Sequence, residues 1–476
     1  MFNLKKTKIV CTLGPASRSE EVLEKMLLAG MNVARLNFSH GDHQQHYDAI
    51  CNFRKVRNRL GLPAAVLLDT KGPEIRLGDF ETGSAVLKNG QSFTLTSEKI
   101  AGNQTCSSIT YKNLPAQVKP GTPILIDDGR IVLKVQEVKD RKIICKVTNG
   151  GEVSSRKGVN VPKTHLDLEY LSDADKKDLL FGIENEVDYV AASFVRTPQD
   201  VIDLRTFLNE NGGSQIKIIS KIENMEGIEN FRKILDHSDG IMIARGDMGV
   251  EVNFAKLPGI QKKFIKACCQ AGKIVITATQ MLESMVTSPT PTRAEITDVA
   301  NAVFDGTSAV MLSGESAMGK YPVETVKVMS KIVKQAEKDA FDMNIYKIMD
   351  YEMDAKDKSN AIGHAACTTA HDLKAKAILA VTTSGYTAEK MSKFRPSQPI
   401  VAATPKEKTF HQLALSWGVY PVLTEYADNW SMLLEQATCG AKKMRVVKEG
   451  DTIVISAGLP LQSTGRTNLI RVETVK

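Results

Sequence analysis

Two triplets close two consecutive apolar runs of this sequence. Lys221-Ile222-Glu223 follows Ile216-Lys217-Ile218-Ile219-Ser220, and Arg245-Gly246-Asp247 follows Gly240-Ile241-Met242-Ile243-Ala244. Both runs have the continuous apolarity of buried strands. On neighbouring parallel strands, Lys221, Glu223 and Asp247 would converge at one sheet edge. A cation beside two hard oxygen ligands suits a divalent metal and chemistry on a phosphorylated anion. Either triplet alone reads equally well as a structural ion pair; two on successive strand ends do not.

Other apolar runs also end in polar residues. One ends Arg35-Leu36-Asn37-Phe38-Ser39-His40, where strand alternation turns Arg35, Asn37 and Ser39 to one side. Others end Asp69-Thr70-Lys71-Gly72-Pro73-Glu74-Ile75-Arg76, Thr277-Ala278-Thr279-Gln280 and Ser313-Gly314-Glu315. In a barrel the C-terminal ends of the strands share one mouth, so polar groups there read as catalytic rather than as unrelated loop caps.

Eight such runs recur, at Lys8–Leu13, Val33–Phe38, Ala64–Asp69, Asp188–Phe194, Ile216–Lys221, Gly240–Ala244, Ile274–Thr279 and Ala309–Ser313. Helix-like segments such as Glu20–Ala29, Asp173–Glu186 and Leu257–Ala271 separate them, and Ser172 with Asp175 forms a capping pair. Apart from one gap, neighbours lie about 25–35 residues apart, the rhythm of a closed (β/α)8 TIM barrel of about 250 residues. The gap between Asp69 and Asp188 holds alternating Thr, Val and Lys with turns such as Lys88-Asn89-Gly90 and Asp127-Asp128-Gly129. Short strands near Ile124–Ile126, Ile131–Val135 and Ile143–Val147 predict an inserted small β-barrel domain placed as a lid over the mouth. A long helix over Pro322–Ala340 follows the eighth strand, then a polar linker at Asp350–Ser359. Strands near Ala375–Val381, Pro399–Ala403, Val419–Leu423, Asp451–Ser456 and Asn468–Val475 predict a C-terminal open α/β domain. The expected divisions are 1–70 with 168–344 for the barrel, 71–167 for the lid and 345–476 for the last domain.

Bulk properties narrow the function. The 476 residues are 42% hydrophobic, 25% charged and 6% aromatic, with a net charge of +7. That balance excludes a disordered chain, and the lack of a Lys/Arg block argues against a nucleic-acid partner. Eight scattered cysteines without paired spacing point to reduced thiols. With no signal-like segment and no apolar run near about 18 residues, the expectation is a cytoplasmic protein without membrane contact.

Two motifs mislead. Gly314-Glu315-Ser316-Ala317-Met318-Gly319-Lys320 spells a phosphate loop, but Tyr321 follows where a Ser or Thr hydroxyl must reach Mg2+. No two glycines lie two apart, so a dinucleotide fingerprint is absent. His40, His43 and His46 are read as surface histidines, the outer pair standing about 120° apart on a helix. In the C-terminal domain, Thr382-Thr383-Ser384-Gly385-Tyr386-Thr387 joins a strand to a helix; it reads equally as an anion site and as an ordinary N-capped loop.

Taken together, Lys8-Ile9-Val10-Cys11-Thr12-Leu13-Gly14-Pro15, the Arg35–Gly41 and Asp69–Arg76 segments, Ile219–Asn224, Ala244–Asp247, Ala278–Met285 and Pro291-Thr292-Arg293-Ala294-Glu295 resemble pyruvate kinase, most of all the bacterial enzymes activated by fructose 1,6-bisphosphate. The resemblance spans nearly the whole chain. It implies phosphoryl transfer from phosphoenolpyruvate to ADP, giving pyruvate and ATP. It further implies Mg2+ (or Mn2+) on Glu223 and Asp247, with K+ near Asn37, Ser39, Asp69 and Thr70. Lys221, Arg35 and Thr279 are the implied catalytic residues, with the substrate also meeting Gly246 and Asp247. Thr12, Pro15, His40, Arg76 and Lys157 match nucleotide-side positions, and Thr279 is implied where the enolate is protonated, with water and the Ser313/Glu315 pair as one route and the proton donor itself left open. Glu74 implies a K+ requirement, since relatives with Lys there tend not to need the ion. A sugar-phosphate effector is implied at Thr382, Thr383, Ser384, Gly385, Thr387 and Arg466, although Tyr386 replaces a basic residue. A homotetramer is the implied assembly. Two alternatives remain open at this point: another metal-dependent barrel enzyme of phosphoenolpyruvate or oxaloacetate chemistry, and a silent relative that only senses metabolites.

Overall fold

A computed structural model describes residues 4–162, 164–346, 357–426, 429–459 and 467–476. Eight parallel strands close into a barrel: β1 Lys8–Thr12, β2 Val33–Asn37, β3 Ala65–Asp69, β4 Tyr189–Ala192, β5 Lys217–Ile222, β6 Gly240–Ala244, β7 Ile274–Ala278 and β8 Ala309–Leu312. Each strand pairs with its sequence neighbours, and β1 closes against β8. The register aligns Asn37 with Asp69, and Asp69 with Ala191. Polar residues that end separate strands thus arrive at one level. Continuous apolarity has a direct cause. Val10, Leu67, Ile219 and Ile276 fill the barrel interior, whereas Ile9, Val66, Ile218 and Val275 pack outward under the helices.

The capping pair forms as the sequence predicts. Ser172 Oγ accepts from the Asp175 N–H at 3.1 Å, and the Asp175 carboxylate accepts from the Ser172 N–H, opening a helix over Asp173–Glu184. The other Asp175 oxygen accepts the Gly72 N–H at 3.0 Å, where the chain leaves the barrel for the insert. On the return, the Arg196 guanidinium donates to the carbonyls of Leu166 and Leu168 at 2.9 and 2.7 Å. Both connections are therefore tied to the mouth.

Seven strands of the insert form one half-barrel sheet, running in space as Ile75–Arg76, Gly158–Asn160, Pro123–Ile126, Ile131–Lys139, Lys142–Asn149, Ser92–Thr96 and Cys106–Ser108. A two-stranded ribbon, Ser84–Leu87 with Gly151–Ser154, accompanies it. Only one face is buried, with Ile131, Leu133 and Val135 inward and Lys134 and Gln136 outward, so these strands alternate where the barrel strands do not.

The C-terminal sheet comprises β9 Ala377–Val381, β10 Ile400–Thr404, β11 Val419–Leu423, β12 Thr452–Ala457 and β13 Leu469–Thr474, in the order β11-β10-β9-β12-β13, the last antiparallel. The expected linker is shorter than the sequence implies. Residues 350–356 of it lie outside the described residues, but Lys358 and Ser359 already belong to a helix, Lys358–Asp372, because the Asp357 side chain caps the Asn360 N–H at 2.9 Å. This domain closes the barrel end opposite the polar mouth. Leu415 enters the interior cluster, Tyr189 Oη donates to the Gln412 carbonyl at 2.6 Å, and Lys217 pairs with Glu389. Among the described residues no helix is long and apolar enough to cross a membrane, and all eight cysteines are free.

Candidate active site

Strands β3, β4 and β5 bring their ends together around one ammonium. Lys221 Nζ lies 2.8 Å from Ser193 Oγ, 2.9 Å from Glu223 Oε1 and 3.1 Å from Asp69 Oδ1. From β2, Arg35 Nε donates to Asp69 Oδ2 at 2.6 Å and Arg35 Nη1 donates to Thr12 Oγ1 at 2.8 Å. Asp69 is bridged by two cations and fully buried. Burial opposes its charge, yet Arg35 and Lys221 together outweigh that and hold the carboxyl below its ordinary range. Burial likewise opposes the charge on Lys221, but Asp69 and Glu223 hold its ammonium above the usual lysine range. At working pH the cluster holds two fixed cations.

Glu223 differs. Burial pushes its carboxyl up to about 7; Lys221 opposes this and Asp247 adds to it. Oε2 accepts the Phe194 N–H at 2.6 Å, while the buried Oε1 makes its ion contact with Lys221 but no hydrogen bond. Asp247, on the helix Arg245–Glu251 that leaves β6, lines the adjacent cleft. Two carboxylates of this kind, one with an unsatisfied buried oxygen, fit a hard divalent cation whose remaining ligands come from substrate and solvent. No group of three or more His, Cys, Asp or Glu side chains placed to hold a metal exists among the described residues, so a divalent ion on Glu223 and Asp247 needs further ligands of another kind.

At the end of β7, Thr279 and Gln280 adopt left-handed backbone, φ +69° and +55°. This turn aims Thr279 Oγ1 at the Gly246 N–H, which donates to it at 2.9 Å, while the hydroxyl donates to the Ala278 carbonyl. Thr279 and Gly246 are thus joined directly. Arg245 turns away from the mouth: it pairs with Asp298 at 2.7 Å and donates to the Ala278 and Thr279 carbonyls, bracing the β7 turn. Glu315 is buried and held by the N–H groups of Leu282 and Ser313, and Ser313 Oγ is buried without a hydrogen-bond partner.

The remaining sequence-predicted residues divide. Asn37 Oδ1 accepts the Ser39 N–H at 3.2 Å beside Asp69, and Thr70 follows Asp69 with its carbonyl accepting from Ser193 Oγ at 2.7 Å. Arg76 and Lys157 line a cleft of about 700 Å³ between insert and barrel, together with Glu74, Phe194, Met225 and Asp247. Arg76 is paired with Glu74 at 2.6 Å and Lys157 with Asp127 at 2.7 Å. Thr12, Pro15 and His40 do not line this cleft; Thr12 is buried against Arg35, and Pro15 and His40 are exposed on the β1 and β2 loops.

In the C-terminal domain Gly385, at φ +88°, starts the helix Tyr386–Ser392, and its N–H donates to Thr382 Oγ1. Thr387 and Thr467 share a hydroxyl contact of 3.0 Å, the Thr383 carbonyl accepts from Thr409, and Ser384 is exposed. Arg466 lies outside the described residues. Lys390 Nζ stands 5.2 Å from the Tyr386 ring centroid, one helical turn on.

Two readings need correction or addition. His46 is not a surface histidine: it is buried, stacked on Phe38 with centroids 4.1 Å apart and bonded to the His40 carbonyl, and burial lowers its pKa. His43, although exposed, lies 2.6 Å from Asp178. Ser193 and Phe194 were missed altogether. They directly follow β4, the strand whose polar terminus is a lone serine before Phe194-Val195, and the signal that could have found them was the missing fourth member of an otherwise polar ring.

Fold and site define a class, an α/β-barrel enzyme whose strand-end mouth joins buried cations to buried carboxylates. The family profile for "Pyruvate kinase, barrel domain" matches residues 4–326, and that for "Pyruvate kinase, alpha/beta domain" matches residues 360–473. Pyruvate kinases of Clostridium acetobutylicum and Clostridium perfringens are 48% and 47% identical, each alignment covering 99% of this chain and 100% of the relative. A crystal structure of a pyruvate kinase from Cryptosporidium parvum superposes with a TM-score of 0.92 at 40% identity, covering 99% of this chain and 97% of the other. The chain belongs to the pyruvate kinase family of phosphotransferases.

Proposed function

We propose that the chain transfers the phosphoryl group of phosphoenolpyruvate to ADP, giving pyruvate and ATP, with Mg2+ (or Mn2+) and K+ as its cations. The observation that carries this reading is the buried Lys221–Asp69–Arg35 cluster beside Glu223, with Asp247 on the wall of the 700 Å³ cleft. Glu223 and Asp247 hold the divalent ion, which when bound screens the phosphoryl oxygens and lowers the charge against which the nucleophile moves. Lys221 and Arg35 stabilise negative charge on the phosphoryl group in flight, the dominant contribution in such a transfer. The backbone N–H of Asp247, and that of Gly246 once it leaves Thr279 Oγ1, orient the substrate carboxylate. Thr279 stands at the enolate face, and the proton relay draws on the unpartnered Ser313 hydroxyl and Glu315.

Asn37, Ser39, Asp69 and Thr70 supply oxygens for K+. ADP lies under the insert at Arg76 and Lys157, with Thr12, Pro15 and His40, which stand outside that cleft, as the remaining nucleotide-side residues. Residues 1–70 with 168–344, 71–167 and 345–476 act as catalytic barrel, lid and regulatory domain. A sugar phosphate binds at Thr382–Gly385 and Thr387 with Arg466. Lys390 stands beside the Tyr386 ring but is paired with Asp357 at 2.9 Å. The enzyme works as a cytoplasmic homotetramer. Pyruvate release from phosphoenolpyruvate, measured with ADP, Mg2+ and K+ each omitted in turn and with fructose 1,6-bisphosphate added, tests the reading. Turnover should need all three and rise with the sugar phosphate; turnover without ADP would point to another barrel chemistry.

A further inference from the structure

We propose that Ser193 is the positioning residue of this site: its hydroxyl sets the direction of the Lys221 ammonium and couples it to the oxygens assigned to the monovalent cation. The inference rests on the phosphoryl-transfer reading above. An ammonium has three N–H donors in fixed tetrahedral directions. Lys221 Nζ donates a hydrogen bond to Ser193 Oγ at 2.8 Å and makes ion-pair contacts with Glu223 Oε1 at 2.9 Å and Asp69 Oδ1 at 3.1 Å. Two of these are carboxylates with other claims on them, since Asp69 also holds Arg35 and Glu223 is placed for the divalent ion. Ser193 is the neutral acceptor, with no metal to serve, and it is 1% exposed. It is therefore the anchor that stays when the cation ligands rearrange around substrate.

The same hydroxyl has one proton to give, and its closest acceptor is the Thr70 carbonyl at 2.7 Å, with Asp69 Oδ1 at 3.0 Å. The Ser193 N–H donates in turn to Thr70 Oγ1 at 3.2 Å. One residue on β4 thus grips Thr70 at both ends while accepting from Lys221. Thr70 and Asp69 belong to the set proposed for K+, so a chain Lys221–Ser193–Thr70 links the phosphoryl-facing ammonium to the monovalent site. Serine suits this place because a hydroxyl donates and accepts at once, and because space is short: a Cβ added at Gly72 would come within 3.0 Å of Ser193 Cβ.

Steady-state kinetics of full-length Ser193→Ala test this. Loss of a hydrogen bond to a charged group predicts a kcat about ten- to a hundred-fold lower. The K+ concentration for half-maximal rate should rise several-fold, with KM for ADP little changed. A purely structural serine would lower the melting temperature and leave the K+ half-activation where it is, and that result would overturn the proposal. Ser193→Cys keeps the shape of the side chain, in a slightly larger volume, with a poor acceptor and should repeat the kinetic signature; if Ser193→Ala does not fold, wild-type kinetics in Ser193→Cys would overturn it equally. A wild-type chain inert towards phosphoenolpyruvate and ADP would overturn the functional reading and the role of Ser193 together, whereas an active wild type with unaffected variants would remove only the latter.

Discussion

Replacing Lys221 by methionine keeps the length of the side chain and removes its charge. In the folded protein the ammonium lies within 3.1 Å of Ser193, Glu223 and Asp69, with 11% of its side chain exposed. A unit charge about 4 Å from another at an effective dielectric near 20 interacts by about 4 kcal/mol. Charged donors to a phosphoryl group in transfer contribute about 10³- to 10⁵-fold in rate, which is about 4–7 kcal/mol. The two figures agree, and Lys221→Met should lower kcat by at least about a thousandfold. Metal affinity should persist or tighten, because the ammonium competes for Glu223 Oε1. Stability should fall by less than the ~3–5 kcal/mol usual for a broken buried pair. Asp69 keeps Arg35, and Glu223, with its carboxyl already pushed up to about 7, can take a proton. The assay pairs initial rates of pyruvate formation with Mn2+ titration by electron paramagnetic resonance and a circular-dichroism melt. A folded, Mn2+-binding variant with kcat within tenfold of wild type would refute the assigned role.

Glu74→Lys places a cation beside the site, where the native carboxylate pairs with Arg76 and feels Glu223 and Lys221; activity without K+ should rise towards the K+-saturated rate, and an unchanged K+ dependence would count against the charge argument. Lys5, 1% exposed at the closed end of the barrel, has its pKa lowered to about 7 by burial, which Glu337 only partly offsets. An unfolded lysine titrates near ~10.4, so between about pH 7 and 10 the unfolded chain holds a proton the folded chain has released, and stability rises with pH by up to about 1.4 kcal/mol per unit. Urea unfolding at pH 7 and 9 should show that rise in the wild type and a shallower one in Lys5→Met; equal slopes would contradict it.

The barrel was legible because its strands are buried on both faces, which leaves an unbroken apolar run followed by an abrupt polar end. Lys221, Glu223, Asp69 and Arg35 announced themselves by charge at those ends. Ser193 did not, since a serine before Phe194-Val195 looks like any loop residue until β4 is placed between β3 and β5. Arg245 carried the opposite hazard: a charged residue in a striking triplet whose guanidinium serves the β7 turn and Asp298. His46 followed the same logic, because its helical spacing was readable but its stacking partner, Phe38, was not. Sequence pattern locates strand ends well. It does not say which way a side chain turns after them.

The central claim is that the cluster around Lys221 passes a phosphoryl group between two substrates. Phosphorus NMR of the full-length protein with phosphoenolpyruvate, ADP, Mg2+ and K+ reads this directly. The account predicts that the phosphoenolpyruvate resonance falls as the γ-phosphoryl resonance of ATP grows in equal amount, and that neither changes at a comparable rate with Lys221→Met. Phosphoenolpyruvate consumed with release of inorganic phosphate and no ATP, or not consumed at all, would contradict it.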